Sequence, residues 1–408
     1  MIEILNKEKA KIKLTGDRGR IAEIDQLRGV AILLVYLFHA WLLSGEPEAG
    51  FEIGGLQLDL FLLFKHGNAG VDLFFVLSGF CLFLPICKSS SNQDWNWHLF
   101  YKKRLWRIVP AYYAAIAFVT LLPAFWGLVA RLTGRGTNIS PVVFHLPWQP
   151  SPSIWHYATH LFFIHSLFPD TWDSLNDVFW SLGPEAQFYL VFPLFVLGFR
   201  RWKVKFLFFL IAVSISYRLL ATILFANKLW LTQFLISIFL TGRWMQFGLG
   251  MLAAFLTSRY VSQNKTLNNR TSVRLLPGVI LFIVIVMWQE NTQSLPLFPL
   301  RDTVLALSWA ILVVILCNST VSLPYFFVNK LLISIGTISY SIFLIHMPLT
   351  YYASLLLQNL FQLTSLWQFL ILSTVGLLTV CGISFLFYRL FERPFLGHKF
   401  WFSELKKS

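Results

Sequence analysis

The chain has 408 residues, of which 56% are apolar and 13% charged, with a formal net charge of +14. A soluble domain carries about twice that share of charge. This composition excludes a disordered chain, a secreted disulfide scaffold and an ordinary cytosolic enzyme, and it points to a polytopic membrane protein.

The apolar runs predict an all-α bundle of ten transmembrane helices, at 29–44, 71–87, 108–130, 177–198, 204–226, 231–257, 275–289, 301–317, 331–357 and 366–390. A span needs about 20 residues, so the shorter runs require flanking residues or a thin local membrane. Residues 56–64 are apolar but too short to span, which suits an interfacial or re-entrant piece. Residues 1–20 form a polar leader, 21–396 the membrane domain and 397–408 a tail. The long polar leader and the lack of a small-residue cleavage pattern argue against a signal peptide.

The cations divide unevenly between alternating loops. One set of loops, with the leader and tail, holds 26 Lys and Arg; the other holds 5, and Arg218 and Arg243 lie inside spans. This positive-inside pattern places both termini in the cytoplasm. It also explains the basic excess without nucleic acid, which is not expected as a partner. Cys81, Cys87, Cys317 and Cys381 lie in or beside apolar runs with no CxxC pair, so they read as packing residues.

Two outer loops are long. Residues 45–70 carry Glu46, Glu48, Glu52 and Asp59, and residues 131–176 carry His145, His156, His160 and His165 among Trp and Pro. His156 and His160 have a spacing that can ligate metal on a helix. No acidic partner stands at zincin spacing, so aromatic packing is the stronger reading and no metal is expected.

An ionisable residue inside a span is expensive and needs a reason. Arg28 and His39, in DQLRGVAILLVYLFHAW, are 11 residues apart. On a helix that spacing puts both on one face, about 16 Å apart along the axis. The pair suits a long anionic ligand with its charged head at Arg28 and its reactive end at His39, where an imidazole can serve as general base. A hydrogen-bonded bundle histidine and a topology-setting arginine fit the spacing equally well. Asp25 caps this helix or orients Arg28. Arg104 and Arg107, in FYKKRLWRIVP, point the same way and with Lys102 and Lys103 form an anion site, or a topology signal facing anionic lipid. Glu185, in WSLGPEAQFYLVFP, is positioned to orient His39, bind substrate hydroxyls or counter Arg243, which needs a carboxylate. For both, a structural ion pair is the plain alternative. His346, in ISYSIFLIHMPL, reads alone as a satisfied core histidine, and Asp72 as an interfacial acid. Ser78–Gly79 signals close helix packing. No internal repeat is visible, which disfavours a transporter or flippase.

Taken together these strings resemble acyltransferase family 3, the integral-membrane O-acyltransferases. The opening Asp-x-Leu-Arg-Gly with a later His matches Asp25, Leu27, Arg28, Gly29 and His39, and GVDLFFVLSGF at 70–80 matches the second-span motif. Arg104, Arg107 and Pro110 fit its RxxR…P pattern, and Trp180, Ser181, Leu182, Glu185, Gln187, Phe188 and Tyr189 its WSL-x-x-E-x-QFY string. Ser339, Tyr340, His346 and Pro348 resemble the late motif, and FYRLFERPF the closing one. Gly183, Pro184 and Ala186 depart from the pattern, and Pro184 is expected to bend the start of its span and re-aim Glu185.

The resemblance implies an enzyme of the bacterial plasma membrane that takes an acyl group, acetyl or succinyl, from acyl-CoA. It implies no cofactor beyond that donor substrate. Arg28, Arg104 and Arg107 would hold the phosphates, His39 would be the base, and Glu185 would orient the imidazole or the acceptor. Asp25, Asp72, Arg243 and His346 join the substrate-binding set. The expected acceptor is a hydroxyl of a cell-surface polysaccharide or glycolipid, for which a wet outer mouth of Trp and His is suited; a lipophilic small metabolite is the alternative. No fused SGNH hydrolase-like domain is seen, so the chain either acylates its acceptor directly or hands over to a separate periplasmic partner.

Overall fold

The computed structural model describes residues 21–53, 56–88, 95–132, 152–225, 227–263, 267, 269–288, 298–319 and 330–396. The expected leader 1–20, the tail 397–408 and His145 lie outside the described residues.

The chain is an all-α multi-pass membrane bundle. Helices α1 (Ala22–Leu43), α2 (Ala69–Lys88) and α3 (Trp97–Leu132) are followed by the short α4 (Ile154–Leu161). Then come α5 (Leu182–Trp202), α6 (Val204–Leu224), α7 (Leu229–Ile238), α8 (Leu240–Ser262), α9 (Asn269–Trp288) and α10 (Phe298–Asn318). The last are α11 (Lys330–Thr337), α12 (Ser339–Phe361) and α13 (Ser365–Leu396), the last interrupted by two π-helical stretches. Among the described residues, nine helical segments are long and apolar enough to cross a bilayer. A lipid-embedded chain must satisfy its backbone internally, which a helix does.

Three differences from the sequence reading are local. The expected span 275–289 is a helix, α9, but its apolar stretch is shorter, Leu275–Val286. The run 331–357 is broken into α11 and α12 around Ile338. Residues 56–64, expected as one short apolar piece, are two elements: Leu56–Asp59 is the second strand of an antiparallel hairpin with Gly50–Ile53, followed by one helical turn at Leu62–Lys65.

The contacts divide the chain into two compact units, one of Met1–Trp41, Glu48–Gln93 and Leu190–Ser339, the other of Leu42–Pro47, Asp94–Tyr189 and Tyr340–Ser408. In the first, α2 and α8 cross at glycines. A Cβ on Gly79 would lie 2.2 Å from the Phe247 carbonyl oxygen, and one on Gly250 only 2.1 Å from that of Val76. The small-residue contact read from Ser78–Gly79 is therefore present at Gly79. Where α1 meets α11, Gly336 abuts the Asp25 carbonyl. On α6, Phe208, Phe209, Leu220, Ile223 and Leu224 are exposed, as a lipid-facing surface requires. In the second unit α13 presents Leu378, Leu386 and Leu390 outward in the same way.

Candidate active site

The candidate residues fall into both units. Asp25, Arg28, His39, Asp72 and Arg243 belong to the first; Arg104, Arg107, Glu185 and His346 belong to the second.

Arg28 and His39 both lie on α1, Arg28 half-buried and His39 buried. The helix begins seven residues earlier than the expected span and ends one residue earlier, at Leu43, so His39 lies one turn from its C-terminal end. Asp25 is inside the first turn, three residues after the helix starts, and is therefore not the cap. The His39 Nδ1–H donates to the Val35 carbonyl at 2.8 Å. That bond places the ring proton on Nδ1 and the basic lone pair on Nε2.

Asp72 is not a surface interfacial acid. It is buried and accepts from Arg243 Nη1 at 2.7 Å and from Gln246 Nε2 at 2.9 Å. Asp302 accepts from Arg218 Nη2 at 2.7 Å and from Arg301 at 3.1 Å, and Arg243 stands 3.7 Å from it. Arg218 also donates to the carbonyls of Ile236 and Gly242. The network ties α2, α6, α8 and α10 together. Breaking one partner of such a buried pair costs about 3–5 kcal/mol. Arg243 thus has the carboxylates it needed, and they are Asp72 and Asp302. Asp302 and Arg218 had received no role from the sequence; the signal was an arginine inside a span with an acid at the edge of another.

In the second unit Arg104 lies over the rings of Phe100 and Tyr189, 5.8 Å from each centroid. Tyr189 donates its hydroxyl to Glu185, one helical turn earlier on α5. Arg104 and Glu185 therefore meet at Tyr189, and Tyr340, in the first turn of α12, donates its hydroxyl to the Ile108 carbonyl at 3.2 Å. Glu392, in the second π stretch of α13, accepts from Ser341 at 2.6 Å. Pro184 sits in the first turn of α5, where no intrahelical donor is lost, so it does not bend the span. Gly183 is required by packing, because a Cβ there would lie 2.2 Å from Ser166 Oγ.

The described histidines of the outer loop do not line a wet mouth. His156, His160 and His165 are all buried. The His156 ring closes a capping box with Ser153 and donates from Nε2 to the Asp170 carbonyl at 3.1 Å. Ser174 donates to the Thr171 carbonyl, so it accepts from His160 Nε2–H at 3.0 Å, and His160 Nδ1 accepts from the Tyr112 hydroxyl at 2.7 Å. His165 donates to the Phe179 carbonyl at 2.9 Å and stacks on His160. His346, on α12, is buried and turns Nδ1–H back to the Ile342 and Phe343 carbonyls at 3.0 and 2.9 Å.

The described residues thus define a multi-pass membrane bundle that carries, in its first unit, a buried imidazole with its Nδ1 proton fixed and, in its second, an arginine and a carboxylate that both meet Tyr189. The chain belongs to acyltransferase family 3, matching the family's acyltransferase domain over residues 21–389. It is 28% identical over 187 residues to the peptidoglycan O-acetyltransferase OatA of Listeria monocytogenes, covering 45% of this chain and 25% of that protein. It is 25% identical over 333 residues to the putative acetyltransferase ORF330 of Acidianus two-tailed virus, covering 79% of this chain and 82% of that one. Nodulation protein 10 of Rhizobium leguminosarum bv. viciae is 31% identical over 193 residues, 45% of this chain and 47% of that protein. The chain thus spans a quarter of the Listeria protein and about half of the Rhizobium one. No solved structure matches it.

Proposed function

We propose that this protein transfers an acyl group, acetyl or succinyl, from acyl-CoA to a hydroxyl of a cell-surface polysaccharide or glycolipid in a bacterial plasma membrane, with His39 as general base. One observation carries the reading. Arg28 and His39 share the α1 face, and the bond from His39 Nδ1–H to Val35 leaves Nε2 as the nitrogen that accepts a proton. The relative named as a peptidoglycan O-acetyltransferase supports a saccharide acceptor.

In this reaction the acceptor oxygen attacks the thioester carbonyl as Nε2 of His39 takes the hydroxyl proton. The C–S bond then breaks, and the new C–O bond remains as the ester. The departing thiolate takes that proton back from His39 Nε2–H, so the products are the O-acyl ester and the coenzyme A thiol and the base is regenerated. Arg28, Arg104 and Arg107 are assigned to the donor phosphates, because charge-assisted Arg–phosphate bonds are strong and directional. Asp25, three residues before Arg28, is assigned to orient it. Glu185 and His346 are assigned to the acceptor. Asp72 and Arg243, committed to each other, hold the bundle.

The test is His39→Ala, with acceptor O-acylation measured in cells and coenzyme A release measured with purified protein. Loss of a general base lowers transfer by about 10²–10⁴-fold. Undiminished acylation of a confirmed acceptor rejects the role of His39. Donor turnover with a lipophilic metabolite and none with glycan moves the acceptor to that class, and glycan movement without coenzyme A release marks a transporter.

A further inference from the structure

Pro348 lies inside α12, one turn after Leu344 and two residues after His346. Proline has no N–H, so the carbonyl four residues before it loses its intrahelical donor. Inside a bilayer no bulk water is present to replace that donor, and an orphaned carbonyl must be met by protein. The orphan here belongs to Leu344. The structure meets it with the side chain of Asn176, whose Nδ2–H donates to the Leu344 carbonyl at 3.1 Å across 168 residues of sequence.

Asn176 is no adaptable surface amide. It is fully buried. Its backbone N–H donates to the Ser174 carbonyl at 2.7 Å, and its own carbonyl accepts from Phe179 N–H at 2.9 Å. Ser174 in turn is held by His160, and the Phe179 carbonyl by His165. The amide is therefore the tip of a loop locked by two buried histidines. On α12, His346 is the middle of the three residues between the Leu344 carbonyl and the proline. Its backbone carbonyl accepts from Thr350 Oγ1 at 2.7 Å and its Nδ1–H points back along the helix, so its ring direction follows the local helix axis.

We propose that Asn176 is a positioning residue: its side chain replaces the backbone donor that Pro348 removes from α12, and so fixes the direction in which His346 is presented. The role of His346 in transfer rests on the function proposed above; the Asn176–Pro348 compensation does not. It also explains why a proline is tolerated in the middle of this helix.

A double-mutant cycle tests it. The variants are Asn176→Ala, Asn176→Asp, Pro348→Ala and the double Asn176→Ala/Pro348→Ala, each in the full chain. An ionised Asp accepts but does not donate, so Asn176→Asp should fail as Ala does. Pro348→Ala restores an N–H to residue 348 and supplies the missing bond from within the helix. Two readouts are taken: the thermal midpoint of the purified protein and the kinetics of acyl transfer. For Asn176→Ala, a lower midpoint and a fall in kcat of about tenfold or more are expected, because misplacement of a group by an ångström is enough for that. KM for acyl-CoA should stay within about twofold. In the double variant both losses should be largely rescued. Simple addition of the two single effects overturns the proposal, as does a harmless Asn176→Ala. If Asn176→Ala fails to accumulate, recovery of folded protein on adding Pro348→Ala supports the proposal, and no recovery overturns it. If the midpoints couple while no variant, nor the wild type, transfers acyl groups, the compensation stands and the acyltransfer reading alone has failed.

Discussion

His160 and His165 stack with ring centroids 4.0 Å apart, nearly parallel and fully buried, so two imidazolium ions cannot share the site. Burial holds His160 well below the usual imidazole range, reinforced by His165 beside it, and burial pushes His165 down to about 4. The folded state therefore binds fewer protons here than the unfolded chain does below the ordinary histidine value. Stability from the neutral pair is fully present above about pH 6.5 and is lost as pH falls toward the depressed folded values, by roughly 1.4 kcal/mol per pH unit for each such group. The thermal midpoint should therefore decline on acidification through this window. His165→Gln, which retains a donor for the Phe179 carbonyl, should flatten the decline; an identical pH curve for the variant would reject the assignment. These roles were not legible in the sequence. His39 and Arg28 stand out in a string because a charged or titratable group inside an apolar run is anomalous. His160 and His165 sit outside the expected spans, where a histidine is ordinary, and only the fold brings Tyr112, Ser174 and Phe179 to them. Asn176 was silent for the same reason: its partner is a carbonyl that a proline 172 positions away left unpaired.

Helix crossings depend on what is missing from side chains. At Gly250 a Cβ would meet the Val76 carbonyl oxygen at 2.1 Å, and backbone atoms on both sides have no rotamer in which to escape. Gly250→Ala must therefore push α2 from α8, at a cost of about 1–3 kcal/mol by the usual scale of overpacking. Gly382, on α13, is the control, since a Cβ there meets nothing within 4 Å. Gly382→Ala should leave the thermal midpoint unchanged or raise it, while Gly250→Ala lowers it; equal effects would show that helix propensity, not the crossing, is being measured. Element types were largely readable, because a bilayer forces long apolar helices, and Ser78–Gly79 announced one crossing. The partner positions at Phe247 and Gly250 were not, because nothing local encodes a contact about 170 residues away. The hairpin was legible in principle: Gly54–Gly55 between two short runs is a turn signal that the apolar reading of 56–64 overrode.

The whole molecule has a parity that one helix decides. Nine segments among the described residues qualify as spans, and nine crossings alone would put the two ends of the bundle on opposite faces. The 26-to-5 division of Lys and Arg, counted over ten expected spans, predicts the same face and so a tenth crossing. The helix available is α9, whose apolar stretch Leu275–Val286 is short and whose Pro277 lies near its start. A short stretch can still cross where the bilayer thins or flanking residues reach to the interface. If α9 crosses, Ser262 at the end of α8 and Asn318 at the end of α10 lie on the same side, separated by two passes. Fusions of a fluorescent protein and of a periplasmic phosphatase after Ser262, after Asn318 and after the C-terminus separate the cases. The expected result is fluorescence without phosphatase activity at all three positions. Opposite reporters at Ser262 and Asn318 would show that α9 lies in the interface. The cytoplasmic charge count would then be the coincidence, while Arg28 and Arg104, separated by the two crossings α1 and α2, would still share one face.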